Sequence, residues 1–356
     1  MKIQAAVVDA PGMTPAIRQL RIDAPRPDEV LVRIHAAGIC HTDMVLRDGH
    51  LPLTFPAVLG HEGAGIVEQV GAEVHGLFPG DRVVLSFRSC GTCPSCTDHA
   101  PAYCHQFVPL NFDGRRTDGS HKLFDDQQGV SGNVFGQSCF ASHVLAYADN
   151  VIRVEADVPF HLLAPLGCGI QTGVGTVLEA LKVRRGERIA ILGAGGVGLA
   201  AVMAARIAQA GLIAVIDRHD TRQQLAKSVG ATCTSANVGD LPGDFDHIID
   251  TTGVIDLAAT AAQKLAIRGT LALVGAYPPV ESIAIGPAFL MSAGRRIIGV
   301  IEGSVEPKKF VPRLAQMVET GALPIDRLVQ CYPFDQIVEA IADSESGRVV
   351  KPVLTF

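Results

Sequence analysis

The feature that most constrains the fold is a glycine-rich turn in the second half of the chain. Residues 193–198 read Gly-Ala-Gly-Gly-Val-Gly and lie between an apolar run, 188–192, and an alanine-rich run, 197–210. A second apolar run, 212–217, follows. A buried strand, a tight turn, a helix and another strand form the β-α-β unit of a parallel sheet.

This alternation continues toward the C-terminus. Helical runs at 221–229 and 257–265 separate apolar runs at 247–250 and 269–275. Short apolar strands that are separated by helices predict a parallel sheet covered on both faces. We therefore expect a doubly wound α/β domain in this part of the chain.

The turn also indicates a dinucleotide site, because backbone amides at a helix N-terminus can face a pyrophosphate. The residues expected there are Gly193, Gly195, Gly196, Val197 and Gly198. Asp217 ends the next strand, about 20 residues beyond the turn, where a carboxylate binds the ribose diol and repels a 2′-phosphate. This favours NAD over NADP. Arg218 and Arg222 can reach a 2′-phosphate, but packing against adenine and plain solvation are their alternatives.

The first part of the chain has a different sequence pattern. Short β-rich runs punctuated by Gly and Pro predict an all-β, barrel-like unit, with strands at 2–9, 16–23, 30–35, 65–70 and 81–85. Residues 104–132 are polar and glycine-rich without periodicity, so we interpret them as a surface lobe. Strand character returns at 144–148 and 151–154.

The last part of the chain is expected to return to the first domain. Helical runs at 310–319 and 335–343 precede a terminal β-rich run, 349–356. The predicted organisation is therefore a catalytic domain at 1–160, a dinucleotide-binding domain at 161–299 and a returning segment at 300–356.

Composition argues against several classes of protein. The 356 residues carry a formal net charge of −6, and no segment concentrates Lys and Arg, so nucleic acid is not an expected partner. No uninterrupted apolar run reaches membrane-spanning length, and the first residues lack the apolar segment of a secretory signal. We therefore expect a cytoplasmic protein with no membrane partner.

Four of the nine cysteines fall within fifteen positions. They form the pattern C-x2-C-x2-C-x7-C, with the thiols at Cys90, Cys93, Cys96 and Cys104. Four thiolates at this spacing can close a tetrahedral structural zinc site with no open position. Disulfides conflict with the expected reducing compartment, whereas spacing alone does not exclude an iron–sulfur cluster.

A second set of potential metal ligands is scattered along the chain. Its members are Cys40, His61, Glu62 and Cys168. Taken alone, a Cys or His near an apolar run is more often a core side chain than a ligand. The order of these residues with the other motifs is what makes them candidates.

That order resembles zinc-containing medium-chain alcohol dehydrogenases over essentially the whole chain. The motifs are Cys40-His41-Thr42-Asp43, Gly60-His61-Glu62-Gly63-Ala64-Gly65, the four-cysteine cluster, Leu166-Gly167-Cys168-Gly169 and the glycine turn. The chain looks most like the bacterial aryl-alcohol (benzyl alcohol) dehydrogenase branch. The resemblance implies a GroES-like β-barrel catalytic domain, a Rossmann domain, NAD and two zinc ions per chain.

The resemblance also implies roles for individual residues. The ligands of the catalytic zinc would be Cys40, His61 and Cys168. Zinc in such a site holds the alcohol oxygen and lowers the pKa of the bound group, while a hydride passes between the alcohol carbon and the nicotinamide. Thr42 would move the alcohol proton, Asp43 would orient His61, and Glu62 would lie close to the zinc. A helix cap for Thr42 and surface positions for the two acids are the alternatives.

Some positions depart from better-known members of the family. Val45 stands where a histidine often ends the proton relay, so we expect the proton to leave to water or through His41. His41 in turn replaces an arginine that commonly contacts the pyrophosphate, and Lys351 is expected to supply the remaining cation. Gly275, at the end of a predicted strand, is expected beside the cofactor.

The predicted substrate pocket is wide. Ser86 places a small residue where related enzymes often have an aromatic ring, which suits a benzylic or allylic alcohol better than ethanol. The expected lining residues are Ser86, Phe87, Phe55, Val134, Phe135 and Glu302. Core packing is the alternative for each of them.

The predicted function is NAD-linked interconversion of a small primary alcohol, aryl or allylic, and its aldehyde. A dehydrogenase of the same family for a polyol, a formaldehyde-type substrate or a secondary alcohol is the nearest alternative. A non-catalytic zinc- or dinucleotide-binding interaction protein is the more distant one. The resemblance implies a homodimer or homotetramer with the strand near residues 296–301 at the interface, and the remaining cysteines are expected only to pack: Cys139, Cys233 and Cys331.

Overall fold

The structure is a computed structural model that describes residues 1–277 and 282–356. The chain forms two compact units. Unit 1 contains residues 1–168, 305–321 and 325–356, and unit 2 contains residues 169–304 and 322–324. Residues 161–168 thus lie in unit 1 and not in the second domain. The reason is close packing, since a Cβ at Gly167 would lie 2.0 Å from the carbonyl oxygen of Leu85.

Strands dominate unit 1, whereas strands and helices alternate in unit 2. In chain order the strands are β1 (Lys2–Val8), β2 (Ala16–Ile22), β3 (Glu29–Gly38), β4 (Ala57–Val58), β5 (Glu62–Val70), β6 (Arg82–Leu85), β7 (Leu123–Asp125), β8 (Gln128–Val130), β9 (His143–Tyr147), β10 (Val151–Arg153), β11 (Arg188–Leu192), β12 (Leu212–Ile216), β13 (Cys233–Ser235), β14 (Phe245–Asp250), β15 (Leu265–Leu273), β16 (Arg296–Gly299), β17 (Val329–Pro333) and β18 (Lys351–Thr355). The α-helices are α1 (His41–Arg47), α2 (Pro94–Thr97), α3 (Phe107–Phe112), α4 (Phe160–Leu163), α5 (Gly169–Gly175), α6 (Gly196–Ile207), α7 (Asp220–Val229), α8 (Ile255–Ala262), α9 (Pro287–Met291), α10 (Pro307–Glu319) and α11 (Ile337–Glu345).

Unit 1 is built on two sheets. One has the strand order β4-β1-β2-β7-β8, and the other has the order β10-β6-β5-β3-β18-β17, with β9 also paired to β3. The C-terminal strand β18 lies antiparallel to β3, with Val353 opposite Gly38 and Leu354 opposite Ala37. The end of the chain therefore completes a sheet that its first hundred residues begin.

The segment 104–132 is only in part the surface lobe that its polar composition predicts. It contains α3, β7 and β8, and β7 pairs with β2. Lys122 is almost fully buried, and the Arg116 guanidinium donates hydrogen bonds of 2.6 and 3.0 Å to the buried Glu29 carboxylate. The prediction fails at these residues because Arg116 is buried as the ion-pair partner of Glu29, while Lys122 donates to Asn133 Oδ1 and to the Leu145 carbonyl oxygen.

Unit 2 is a six-stranded parallel sheet with the order β13-β12-β11-β14-β15-β16. The chain enters at a central strand, winds outward to one edge, returns to the centre and winds outward to the other edge. This is the doubly wound order, in which ligands bind at the carboxyl ends of the central strands. The alanines of α6 allow this helix to pack closely, and four of them are fully buried: Ala200, Ala201, Ala204 and Ala205.

Within residues 1–277 and 282–356, no helix combines the length and the apolar character that crossing a membrane requires.

Candidate functional site

Unit 1 brings the scattered ligand candidates together. Cys40 is the N-cap residue of α1, His61 immediately precedes β5, and Cys168 follows a 3-10 turn, Ala164–Gly167. With Glu62, their potential ligand atoms all lie within 4.8 Å of one another. Three of these residues are buried and Cys40 is half-buried, so the cluster is screened from bulk water.

The ring of His61 is oriented by Asp43. Its Nδ1 lies 2.9 Å from Asp43 Oδ1, while Nε2 is buried and has no hydrogen-bond partner among the described residues. A buried imidazole nitrogen without a partner is costly unless it binds something. A carboxylate on one ring nitrogen with the other left free is the arrangement of metal-binding histidines. The donor set of two thiols and one imidazole therefore fits Zn²⁺.

The charges in this cluster favour a bound cation. Burial lowers the pKa of His61. The Asp43 carboxylate and the Cys40 thiolate together raise it by more than burial lowers it, so the pKa lies well above the ordinary value. The contact with Cys168 is the largest influence on Cys40 and lowers the pKa of its thiol well below the ordinary value. The anionic groups that hold a proton on His61 would equally hold a metal ion at Nε2.

Glu62 and Lys351 form a buried ion pair in the same cluster. The Lys351 ammonium donates to both carboxylate oxygens, at 2.8 and 2.9 Å, and to the carbonyl oxygen of Ile39 at 3.2 Å. Burial lowers the pKa of Lys351, but the nearby negative charge, chiefly the Glu62 carboxylate, raises it by more. The pKa is therefore above the ordinary value, and the ammonium stays charged. Gly38 leaves the room for this pair, because a Cβ there would lie 2.1 Å from Glu62 Oε2.

This ion pair corrects the expectation that Lys351 contacts the cofactor pyrophosphate. In the structure its side chain is only 4% exposed, and its ammonium donates to Glu62 and to the Ile39 carbonyl oxygen. A buried carboxylate requires a counter-ion, and Lys351 supplies it. By contrast, His41 is exposed on the first turn of α1, and its expected contact with the pyrophosphate stays a prediction.

Thr42 lies beside the cysteine of the cluster. Its hydroxyl oxygen is 3.9 Å from Cys40 Sγ. The N-cap residue of α1 is Cys40, whose backbone N–H donates to Asp43 Oδ2, so Thr42 does not serve as a helix cap. Its role in proton transfer remains a prediction.

The four-cysteine cluster has the geometry of a closed metal site. The sulfur atoms of Cys90 and Cys96, Cys93 and Cys96, and Cys93 and Cys104 are 3.9, 3.5 and 4.0 Å apart. Tetrahedral zinc with Zn–S bonds of ~2.3 Å separates its sulfurs by about 3.8 Å, whereas a disulfide requires ~2.05 Å.

Backbone amides also prepare the thiolates for a metal. The N–H groups of Cys90 and Gln106 donate to Cys104 Sγ, and the N–H of Cys93 donates to Cys90 Sγ. Backbone hydrogen bonds from Thr92 and Cys93 lower the pKa of the Cys90 thiol to about 6. The residues described thus contain two clusters that fit metal ions, and the predicted ligands form both.

The three cysteines outside the two clusters differ in their burial. Cys139 is fully buried and Cys233 packs against the core of unit 2, as expected of packing residues. Cys331 is exposed on β17, so its side chain is not packed in the core. Strand β17 lies at the edge of its sheet, where a side chain can face solvent.

Three polar residues support the cluster around His61 in a way that the sequence does not predict. Gln137 donates to the carbonyl oxygens of His61 and Ser86 and accepts from the N–H of Gly63. Asn150 also donates to the Ser86 carbonyl. The sequence does not predict these roles of Gln137 and Asn150, because their partners are far away in the sequence. A polar residue beside an apolar run is then expected to lie at the surface.

The third is Ser86, which was considered only for its small size. Its buried hydroxyl donates a 2.6 Å hydrogen bond to the carbonyl oxygen of Gly167. Gly167 directly precedes Cys168, so this bond anchors the segment that carries a potential ligand.

Most of the predicted pocket residues lie in unit 1 around an aromatic cluster. Phe87 and Phe135 both contact Phe107, with ring centroids 5.7 and 6.3 Å apart. Val134 is buried and Phe55 packs against the core of this unit. Glu302 belongs to unit 2, where its Oε2 accepts a 2.7 Å hydrogen bond from Gln171.

The glycine turn of unit 2 lies between β11 and α6, as predicted. Gly193 has a φ of 92°, a left-handed conformation that favours glycine. A Cβ at Gly198 would lie 1.9 Å from the carbonyl oxygen of Gly193, and one at Gly275 would lie 2.2 Å from the Gly253 nitrogen. The turn therefore brings backbone close to the N-terminus of α6, where a phosphate can bind.

Asp217 is held at this turn by backbone amides. Its Oδ2 accepts from the N–H of Ala194 at 2.8 Å, and its Oδ1 accepts from the N–H of His219 at 2.9 Å. Arg222 extends toward the same turn, since its Nη1 lies 4.0 Å from the Cβ position of Gly195. Arg218 is exposed beside His219.

Comparison with known proteins identifies both units. Residues 26–156 match the model of the alcohol dehydrogenase GroES-like domain, and residues 196–320 match that of zinc-binding dehydrogenases. The chain is 42% identical to geraniol dehydrogenase of Castellaniella defragrans, over 99% of this chain and 97% of that protein.

Several solved structures are similar over the full length. An alcohol dehydrogenase zinc-binding domain protein from Burkholderia ambifaria has a TM-score of 0.97 at 43% identity, covering 100% of this chain and 99% of that one. Benzyl alcohol dehydrogenase from Acinetobacter calcoaceticus has a TM-score of 0.96 at 39% identity, with the same coverage. The predicted combination of a GroES-like domain and a Rossmann-type parallel sheet is thereby confirmed, and the chain belongs to the zinc-containing medium-chain alcohol dehydrogenase family.

Proposed function

We propose that the protein interconverts a primary aryl or allylic alcohol and its aldehyde, with NAD as the hydride acceptor or donor. The observation that carries this proposal is the buried, unpartnered Nε2 of His61 within 4.8 Å of the donor atoms of Cys40 and Cys168. Such a set leaves a fourth position for a substrate oxygen, as a catalytic zinc site requires.

The three ligands and their neighbours have separate tasks. Cys40, His61 and Cys168 would hold the zinc, which when bound supplies Lewis-acid polarisation of the substrate oxygen. Asp43 keeps the imidazole turned so that Nε2 is available to the metal. Thr42, whose hydroxyl lies beside Cys40 Sγ, moves the proton of the alcohol.

NAD is proposed as the cofactor because of the position of Asp217. Its carboxylate is fixed by the amides of Ala194 and His219, yet each oxygen keeps a lone pair for a ribose hydroxyl. The same negative charge opposes a 2′-phosphate.

The substrate class is proposed from the relatives and from the aromatic cluster. Similar proteins are a geraniol dehydrogenase and a benzyl alcohol dehydrogenase, which are named for an allylic and an aryl alcohol. In this chain Ser86 adds little bulk near its buried neighbours, and aromatic rings are grouped around Phe107. Such surroundings suit a flat, apolar substituent on the alcohol carbon.

The test is turnover of benzyl alcohol, geraniol, ethanol and sorbitol with NAD⁺, followed by NADH absorbance, on samples whose zinc content is measured in parallel. We expect the first two alcohols to be the better substrates and about two zinc ions per chain. Cys168→Ser should abolish turnover and remove about one zinc, whereas the matched control Cys331→Ser alters an exposed thiol and should change neither.

Zinc-replete protein that is inactive on benzyl alcohol and geraniol would contradict the proposed substrate class. Activity on sorbitol or on a formaldehyde adduct would instead assign the chain to another branch of the family. Protein that is inactive on every alcohol but retains zinc and binds NADH would indicate a non-catalytic role.

A further inference from the structure

The aromatic ring of Phe135 lies flat against the potential metal ligand His61. The two ring centroids are 4.6 Å apart and the planes differ by 26°. Both side chains are buried, so the contact is part of the protein interior. Asp43 holds one nitrogen of the imidazole, but a single hydrogen bond allows the ring to tilt about the bond axis, and a flat neighbour restricts that tilt.

Phe135 adopts an unusual backbone conformation to make this contact. Its φ of 51° and ψ of 31° lie in the left-handed region, which bulky residues rarely occupy. A residue stays in such a conformation only where the surrounding structure determines it, and such residues concentrate at functional sites.

Buried polar groups hold the turn that presents Phe135. Asn150 donates a 2.9 Å hydrogen bond to the Phe135 carbonyl oxygen. Lys122 donates to Asn133 Oδ1 at 2.5 Å and to the Leu145 carbonyl oxygen at 2.7 Å. The turn is thus fixed through side chains that do not belong to the metal cluster.

Two further aromatic rings also fix the Phe135 ring. Phe112 contacts it edge-on at a centroid distance of 5.3 Å and an interplanar angle of 88°. Phe107 contacts it at 6.3 Å and 90°. Edge-to-face contacts of this kind are favourable and directional, so the ring cannot rotate without losing them.

From these contacts we propose that Phe135 is a positioning residue for His61, which keeps Nε2 directed at the metal. The inference rests on the proposed function in taking His61 as a zinc ligand. It assigns to Phe135 a task distinct from lining the substrate pocket. A residue that only lines the pocket would affect substrate affinity and leave the metal unchanged.

The test replaces Phe135 by Leu, which keeps an apolar side chain but has no flat face. Cobalt(II) is substituted at the catalytic site, and the visible ligand-field spectrum and the rate of metal release to a chelator are measured. We expect Phe135→Leu to shift the ligand-field bands and to speed metal release about tenfold, as neighbours that orient metal ligands do. Phe135→Tyr should restore both readouts.

The matched control is Phe334→Leu, because Phe334 forms a comparable stack with Phe356, at 4.5 Å and 26°. That variant should have the wild-type spectrum and release rate. If Phe135→Leu fails to fold, Phe135→Met, whose side chain fills irregular space, is measured in its place with the same two expected results.

A wild-type spectrum and release rate in the Phe135 variant would overturn the inference, and a changed KM alone would assign Phe135 to the pocket. If wild-type protein binds no metal through Cys40 and His61, the proposed function itself fails, which is a different result.

Discussion

Asp43 connects the potential metal ligands of unit 1. Its Oδ1 contacts His61 Nδ1 and accepts from the N–H of Gly60, and its Oδ2 accepts from the N–H of Cys40. This one carboxylate therefore orients the imidazole ring of His61. It also fixes the backbone at Cys40 and at Gly60, the residue before His61. Because Asp43 is fully buried, this carboxylate also adds negative charge next to the metal position.

At the cofactor site, Asp217→Ser should shift the cofactor preference. Removing the carboxylate removes repulsion of a 2′-phosphate, while the serine hydroxyl can still accept from the Ala194 amide. We expect the ratio of kcat/KM for NADP⁺ to that for NAD⁺ to rise about 10- to 100-fold, equivalent to about 1.4 to 2.8 kcal/mol. Steady-state kinetics with both cofactors provides the measurement.

Asp220→Asn is the control, because it removes a carboxylate from the start of α7. Its cofactor ratio should match that of the wild type. An unchanged ratio in Asp217→Ser would show that another group discriminates between the two cofactors.

At the scale of elements, we expect the loop of residues 90–104 to depend on a bound metal for its stability. Helix α2 within it has no buried residue, so little apolar core stabilises the loop by itself. Cys96→Ser should reduce the zinc content by about one ion per chain and make the loop more susceptible to limited proteolysis. Zinc analysis and the mapping of cleavage sites check this expectation.

Cys233→Ser serves as the comparison, since Cys233 packs against the core of unit 2 and belongs to neither cluster. Full zinc content in Cys96→Ser would mean that the four thiols do not share one ion.

The buried ion pair of Glu29 and Arg116 joins β3 to the segment between α3 and β7. Burial raises the pKa of Glu29, but the hydrogen bond from Arg116 and nearby positive charge lower it below the ordinary 4.5. A lowered folded-state pKa gives stability that is complete above the unfolded-state pKa and is lost as the pH falls through the folded-state value.

Glu29→Gln should therefore lower the free energy of unfolding by about 3 kcal/mol at neutral pH, because it leaves the buried Arg116 with Asp23 as its remaining ionic partner and the His121 carbonyl oxygen as a neutral one. The difference from the wild type should shrink as the pH falls from 4.5 toward the lowered folded-state pKa, because Glu29 becomes protonated first in the unfolded chain and then in the folded protein. Urea unfolding at a series of pH values measures both effects.

An exposed pair provides the contrast. Asp9→Asn breaks the contact with Arg18 at the surface and should cost less than about 1 kcal/mol at any of these pH values. Equal stability of Glu29→Gln and wild type at neutral pH would show that the buried pair contributes no net stability.

At the scale of the whole molecule, unit 2 presents features of a subunit interface. Strand β16 lies at the edge of the parallel sheet, and the described part of this unit exposes large apolar side chains, among them Ile267, Met291 and Ile301. Unpaired sheet edges and exposed apolar surface favour association. We expect a homodimer or homotetramer, which light scattering on the eluting protein measures.

Ile301→Glu should increase the monomer fraction, because it places a charge just beyond β16. Val254→Glu is the control, since Val254 is similarly exposed in the same unit. A monomeric wild type at working concentration would contradict the expectation.

Local constraints explain why much of the protein could be predicted from its sequence. The glycine turn follows from the φ of Gly193 and from contacts only five residues apart, and the four thiols that meet lie within fifteen positions. Interactions over so few residues are set by backbone geometry and by the composition of the segment itself. The ligand candidates Cys40, His61 and Cys168 are far apart, and they were identified only because their motifs resemble a family.

Only the tertiary structure decided which distant residues support those ligands. Lys351 pairs with Glu62 because β18 joins the sheet beside β3, and Gln137 reaches the His61 carbonyl through a tight turn. The burial of Arg116 with Glu29 is of the same kind. In each case a polar side chain is stabilised by a partner that strand pairing and packing bring near, so its own segment contains no sign of its role.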